Sequence, residues 1–530
     1  MRTFLCFLVL LFSTQLNAQD VFTVHVVPSS ITAAPAIHSG AFAMYHGKWI
    51  FVGGRIDGLH VMQPNQAFPF YGRNDSVFVV DPISNSYQAA NITSLPFILY
   101  EALSSSNMQY HQENSHLYMI GGYGKSDSTG VYTTFPSLIS IDLDSLLARV
   151  ASGSAINNCF RQLIDTNLAV SGGELDKIDS TYYLVFGHRF EGSYAQTQQI
   201  SPFVQHYTSE IRKFVIHDDG INLSLSNYTA ISDTNNFHRR DYNLVPQIFP
   251  NGEKGLTAFG GVFQKNADQP FLTPIDITTS GYVHQSSFNE NLNQYTTAHL
   301  PIFDSTFNQM HTVFFGGMSL FTLDSISHAL VQDTLVPFVQ TISMVSRDYA
   351  GVLQEFQLNE NMPGFIGTNS FFIPDNATHF VNGNILDLNP LNGNTRVGFI
   401  VGGIKSDAPN IAALDPSGMS RPNPIVYDVF VDKTFNHIEQ IEVNNNINNL
   451  IVYPNPAQEI VNIDFDLPEP SSCEIALYSM KGKLIRNLLK SNLTAGKKHY
   501  SFATDNLKPG IYLCRIISGG AKKIVKVIVE

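Results

Sequence analysis

The segment best equipped for ligand chemistry in this sequence is Phe237-His-Arg-Arg-Asp-Tyr-Asn243. Adjacent Arg239 and Arg240 can grip a carboxylate or phosphate through paired N–H donors, with Asp241 orienting one guanidinium and His238 beside them. The same residues serve equally well as a buried Arg–Asp pair joining neighbouring sheets. A second group is Tyr295, His299 and His311, with Arg347 in the following segment. Histidines this scattered also fit plain structural roles, as do His38, His111 and Glu101. Brought to one mouth, these side chains would form a polar, aromatic-lined site for a sugar or a peptide.

Other chemistries find no support. The sequence has no nucleophile elbow, no His-Glu-x-x-His, no phosphate-cradling loop and no dense Asp-Gly calcium repeat. Asp218-Asp219-Gly220 is a turn, too short for a calcium loop. No catalytic residue, metal site or cofactor is therefore expected. Cys159, Cys473 and Cys514 are too far apart for a disulfide scaffold or a zinc site. Cys473 and Cys514 can pair or stand as two buried thiols. The net charge is -13, divided between a basic tail and an acidic body. From Leu450 onward, 11 Lys and Arg against 7 Asp and Glu give +4, which leaves -17 for the rest. An acidic body repels phosphate backbones, so no nucleic-acid partner is expected.

The elements that would position these residues are short strands. An apolar strand closed by a glycine pair recurs at Trp49–Gly54, Leu117–Gly122, Leu256–Gly261, Thr312–Gly317 and Gly398–Gly403, with a degenerate copy at Tyr183–His188. Turn residues such as His46-Gly47, Asn251-Gly252 and Asn392-Gly393 precede several copies and allow tight hairpins. Ser76–Asp81 and the stretch to Tyr87 add a second hairpin, so each unit carries four strands. That is the content of a propeller blade. Six blades are expected, with a seventh conceivable in the long gap between Gly317 and Gly402. The first strand, Val21–Val27, is expected to complete the last blade near Ile425–Val431, because an open ring would leave raw edges.

The glycine-closed strand followed by Val79-Val-Asp-Pro82 and Tyr87 resembles the kelch repeat. The resemblance covers roughly residues 20–443 and implies a β-propeller. The glycine pairs lie 56 to 86 residues apart, wider than the roughly 50 of a kelch unit. Tyr87 stands where that repeat usually carries Trp.

Residues 1–18 read as an export signal: Arg2, an apolar run from Phe4 to Phe12, and Leu16-Asn17-Ala18 before Gln19. The run is too short to span a bilayer, which takes about 20 residues, and no integral membrane span is expected. Asn-rich residues 444–449 read as a linker after a body of residues 19–443. Residues 450–530 alternate as a small β-sandwich. Val452-Tyr-Pro-Asn-Pro456, Tyr478 to Gly482, Pro509-Gly-Ile-Tyr512 and the terminal Lys-rich strand, in that order, closely resemble the type IX secretion sorting domain (type A) of Bacteroidota. The resemblance implies that the type IX secretion machinery reads residues 450–530, and that the protein is secreted or attached to the outer-membrane surface. The expected function is binding of a glycan or protein ligand at the propeller mouth. The alternative is an extracellular carbohydrate-active hydrolase or lyase in the same mouth, and a third reading is a structural envelope component.

Overall fold

The computed structural model describes residues 22–60, 67–193, 203–324, 329–382, 384–413, 418–433, 439–440, 447–479, 484–519 and 521–529. The signal expected over residues 1–18 and the first half of the linker, residues 444–446, lie outside the described residues.

Each glycine-closed strand is the second of four antiparallel blade strands, and six such blades follow one another among the described residues. Five are four-stranded sheets, and in blade 5 three further strands extend the four to a seven-stranded sheet. In blade 1, Ala41–Tyr45 is innermost, followed outward by Lys48–Val52, Ser76–Asp81 and Ser86–Asn91. The innermost strands of blades 2 to 6 are Gln109–Glu113, Glu174–Ile178, Asn243–Ile248, His299–Asp304 and Ser370–Pro374. Asp81 shows how a turn is specified: its carboxylate accepts from the amides of Ile83 and Ser84 and meets Lys48 Nζ at 2.6 Å.

Glycine closes these strands because adjacent blades crowd there. A Cβ on Gly121 would sit 1.9 Å from the carbonyl of Val170, and one on Gly402 would sit 2.2 Å from that of Ile37. The second residue of each pair then donates its amide to the connector entering the next blade. Gly54 reaches Ser105, Gly122 Val170, Gly187 Arg239, Gly261 Gln294, Gly317 Ile366 and Gly403 Ile37, at 2.7–3.1 Å. The sixth bond returns to the start of the chain, so this clamp closes the ring. In blade 3 the pair is Phe186-Gly187, one residue earlier than the sequence alignment of Gly187-His188. Phe186 takes the left-handed conformation (φ 49°) and stays there because its ring is buried against Phe237 and Tyr242.

The chain's first described strand, Thr23–Pro28, pairs antiparallel with Tyr427–Asp432 and becomes the outermost strand of blade 6. Val24 and Val26 enter the core between blades 5 and 6. Closure by the N-terminal strand thus occurs as the pattern required. Among the described residues, the gap between Gly317 and Gly402 holds two insertions rather than a seventh blade. One is the hairpin Phe321–Leu323 with Leu330–Asp333. The other, residues 375–393, sends Ile385–Asp387 back beside the inner strand of blade 5 in parallel.

Residues 448–529 form a separate β-sandwich. Asn448–Tyr453, Ile460–Leu467 and Gly496–Ala503 make one sheet; Leu484–Leu493, Ser471–Ser479, Gly510–Ser518 and Ala521–Val529 make the other. Val461, Ile463 and Phe465 alternate inward onto Ile475, Leu477 and Ile516. Cys473 and Cys514 lie in this core as free thiols, and burial pushes Cys514 up to about 12. The body hairpin joins the second sheet, with Leu330–Asp333 running parallel to the final strand.

Candidate functional site

The innermost strands all start at one level around the axis, and the residues just before them bond to one another. Asn107 donates its amide to Ser39, Gly172 to Asn107, Asp241 to Gly172, Thr296 to Asp241 and Asn369 to Thr296, at 2.8–3.1 Å. Ser39, Asn107, Gly172, Asp241 and Asn369 all adopt φ of 51–63°. That conformation favours Asn, Asp and Gly, the residue types found at four of the five positions. This belt of backbone bonds, running from blade 1 to blade 6, is the floor of a funnel of about 780 Å³, whose walls are the inner strands of all six blades. Beyond the floor, loops from the second strands pack Met318, Leu320, Phe338, Ile404 and Ile411 into an apolar cluster. Asn382 and Asn384, from the insertion in blade 6, reach the opposite, open end.

The two sides of the funnel differ. Blades 6 and 1 present Phe371, Phe372, Pro374, Phe42 and Met44. Blades 2 and 3 present Tyr110, His111, Glu113, Glu174, Asp176 and Lys177. In a six-membered ring blade 3 lies opposite blade 6, so carboxylates face aromatic rings across the cavity.

The polar side is a linked network. His111 Nδ1 lies 3.1 Å from Asp176 Oδ1 and its Nε2 3.8 Å from Glu113, which meets Lys177 Nζ at 2.8 Å. Burial works against a charge on His111, but the hydrogen bonds to Asp176 and Glu113 outweigh it and raise the imidazole to about 9. The same hydrogen bond from His111, with Lys177 adding to it, holds Glu113 down at about 2. Glu174 is different. Burial, with Asp176 and Asp241 close by, raises it to about 8. Its carboxyl has no hydrogen-bond partner among the described residues and is half-buried, reached from the cavity.

Of the residues singled out in the sequence, His111, Asp241 and His299 line the funnel. Asp241 sits in the floor, its carboxyl raised by burial and paired with Arg240. His299 Nδ1 lies 3.1 Å from the Thr297 carbonyl, and burial lowers its affinity for a proton. The other expected ligand-binding residues lie elsewhere. Arg239 is fully buried beyond the floor and donates to the carbonyls of Asn236, Gly260 and Thr273, with Phe271 against its guanidinium. It braces backbone rather than facing the cavity. His238 stacks on Tyr207 and bonds the Phe263 carbonyl. Tyr295 packs in the apolar cluster beyond the floor. His311 is buried between Phe22 and Ser346 and lowered to about 4 by burial. Arg347 is buried in an ion pair with Asp276, 2.6 Å away. Sequence reasoning passed over Glu174, Asp176 and Lys177. Their only signal was position: Gly172-Gly173-Glu-Leu-Asp-Lys177 opens an inner strand.

Among the described residues no group of three or more His, Cys, Asp or Glu is arranged to hold a metal ion. No helix of the described residues is long and apolar enough to cross a membrane.

Residues 451–530 match the family described as "Secretion system C-terminal sorting domain". No curated protein matches the chain. Among solved structures, YjhT superposes with a TM-score of 0.42 at 9% identity, covering 77% of this chain and 98% of that one. CoXyl43, a GH43 β-xylosidase/α-arabinofuranosidase from a compost microbial metagenome, gives 0.29 at 9% identity over 78% and 98%. An arabinoxylan arabinofuranohydrolase from Bacillus subtilis gives 0.26 at 10% identity over 94% and 95%. At these scores the superpositions decide neither blade number nor chemistry. The C-terminal module of this chain is a secretion-system sorting domain, and it marks the protein for secretion or attachment at the cell surface.

Proposed function

We propose that this protein is an exported, kelch-like propeller that binds a neutral carbohydrate in its funnel, released or surface-anchored by a type IX system through residues 450–530. The division into a body of residues 19–443 and this tail is part of the same reading, as is a Bacteroidota source.

The observation that carries it is the funnel's charge balance opposite an aromatic wall. Glu113, Asp176 and Asp179 are matched in number by His111, Lys177 and Lys254, and Asp241 in the floor is paired with Arg240 from outside the lining. Glu174, raised to about 8, is uncharged at neutral pH and can donate as well as accept a hydrogen bond. Such a cavity gives no net attraction to a sulfated, uronic or strongly cationic ligand. It suits a molecule dense in hydroxyls, with apolar ring faces for Phe372 and Phe42. About 780 Å³ is also the size of a small-molecule site rather than of a protein interface.

Profiling the purified protein on an array of neutral, amino, uronic and sulfated glycans tests this. Binding confined to neutral glycans is expected. Binding only to charged glycans, or to none, contradicts the proposal.

A further inference from the structure

Resting on the carbohydrate reading of the funnel, we propose that it also hydrolyses a glycosidic bond of its ligand, with Glu174 as proton donor and Asp176 as the base that activates water.

Three geometric facts lead there. Glu174 opens onto the cavity with no hydrogen-bond partner among the described residues. Glu355, a more deeply buried carboxyl outside the cavity, is by contrast tied to Asn291 and Leu292. Asp176 stands two residues along the same strand and therefore on the same face, its Cβ about 6.6 Å away. Both carboxyls are thus carried to the same cavity. Finally, Asp176 has a fixed orientation, with His111 Nδ1 at 3.1 Å. The charged and titratable groups around Glu174 are Asp176 and Lys177 on its own strand, Tyr110 and His111 on blade 2, and Asp241 and Tyr242 with Arg240 entering blade 4. Their combined effect with burial keeps Glu174 protonated at neutral pH, the state a general acid needs.

The step balances with water as the only co-reactant. Glu174 transfers its proton to the glycosidic oxygen as the bond from that oxygen to the anomeric carbon breaks. Water adds to the anomeric carbon from the opposite side and gives a proton to Asp176. Solvent then returns a proton to Glu174. The first product has inverted anomeric configuration.

The test uses the full chain with two probe sets: neutral oligosaccharides, and aryl glycosides with phenyl or 2,4-dinitrophenyl leaving groups. Wild type should release reducing ends, with the rate falling above about pH 8. Glu174→Gln should lose about 100-fold or more on oligosaccharides and phenyl glycosides, yet little on dinitrophenyl glycosides, whose leaving group needs no proton. It should also lose the alkaline limb while still binding the sugar. Asp176→Asn should slow both leaving groups alike. Glu174→Gln has the shape of the protonated acid, and its unfolding midpoint confirms that it folds. Sugar binding without any release of reducing ends overturns the hydrolysis and leaves the binding reading standing. Equal losses for both leaving groups in Glu174→Gln, or retained configuration, overturn the assigned roles. Absence of sugar binding overturns both readings.

Discussion

Glu174 and His111 lie in one cavity yet respond oppositely to pH. Glu174 is raised to about 8, so its ionised form is disfavoured in the folded state. Folding then binds a proton that the unfolded chain releases, and this group's contribution to stability falls as pH climbs from the ordinary carboxylate range to about 8. Glu174→Gln should therefore raise the unfolding midpoint near pH 9 by several degrees and leave it unchanged near pH 4, as thermal melts at the two values will register. His111, raised to about 9, contributes stability that is complete below its ordinary value near 6.5 and is lost as pH rises through 9. Its ring resonances should titrate near 9, and Asp176→Asn should bring that value down, because a main partner of the imidazolium is removed. At this scale the sequence was only partly legible. Asp241 and His299 stood out by type and do face the funnel, but Arg239 and His311 stood out equally and are buried. Residue type does not tell which side of a connector a side chain takes. Glu174 and Asp176 read as ordinary alternating strand residues, because what marks them is the wall opposite, which no local spacing encodes.

At the scale of elements, the glycine pairs and the N-terminal strand carry the ring. Gly121→Ala forces a Cβ to 1.9 Å from the Val170 carbonyl at φ 69°, whereas Gly130, at φ 73°, has nothing within 4 Å. The first substitution should cost more than about 3 kcal/mol and the second about 1 kcal/mol in denaturant unfolding, since only the first displaces backbone of the next blade. Deleting residues 22–28 bares the Tyr427–Asp432 edge and opens the core that Val24 and Val26 fill. Soluble aggregates in size-exclusion chromatography are the expected outcome. The hairpin and glycine periodicity made the six blades readable in advance. The exception was blade 3, where Phe186 takes a left-handed position that glycine usually fills. A packing contact from Phe237 and Tyr242 overrides local preference there, and only the assembled fold reveals it.

Considered as a whole, the molecule is a ring and a sandwich, each with its own core, joined at a short strand pairing. Val331, Gln332 and Asp333 run beside Lys522, Lys523 and Ile524, and the Thr334 amide reaches the Ile524 carbonyl at 3.4 Å. The small extent of this joint predicts two separate unfolding transitions in calorimetry. Val331→Pro removes an amide from the pairing strand and should increase hydrogen exchange at residues 522–524 without moving the propeller's transition. The sandwich was legible from its ordered motifs and clean alternation, whereas the joint was not, because the hairpin that forms it pairs with residues some 190 positions away. The funnel is likewise a property of the whole ring, since six blades each contribute one edge to it.

The central claim is that this funnel holds a neutral sugar. Calorimetric titration of the purified protein with the neutral oligosaccharides selected on the array tests it most directly, against Phe372→Ala, Asp176→Asn and the exposed-site control Tyr71→Ala. Saturable binding, weakened about 10-fold or more by the two funnel substitutions and unchanged by the control, is the predicted result. Binding that survives both funnel substitutions, or a titration with no heat at all, would contradict the account.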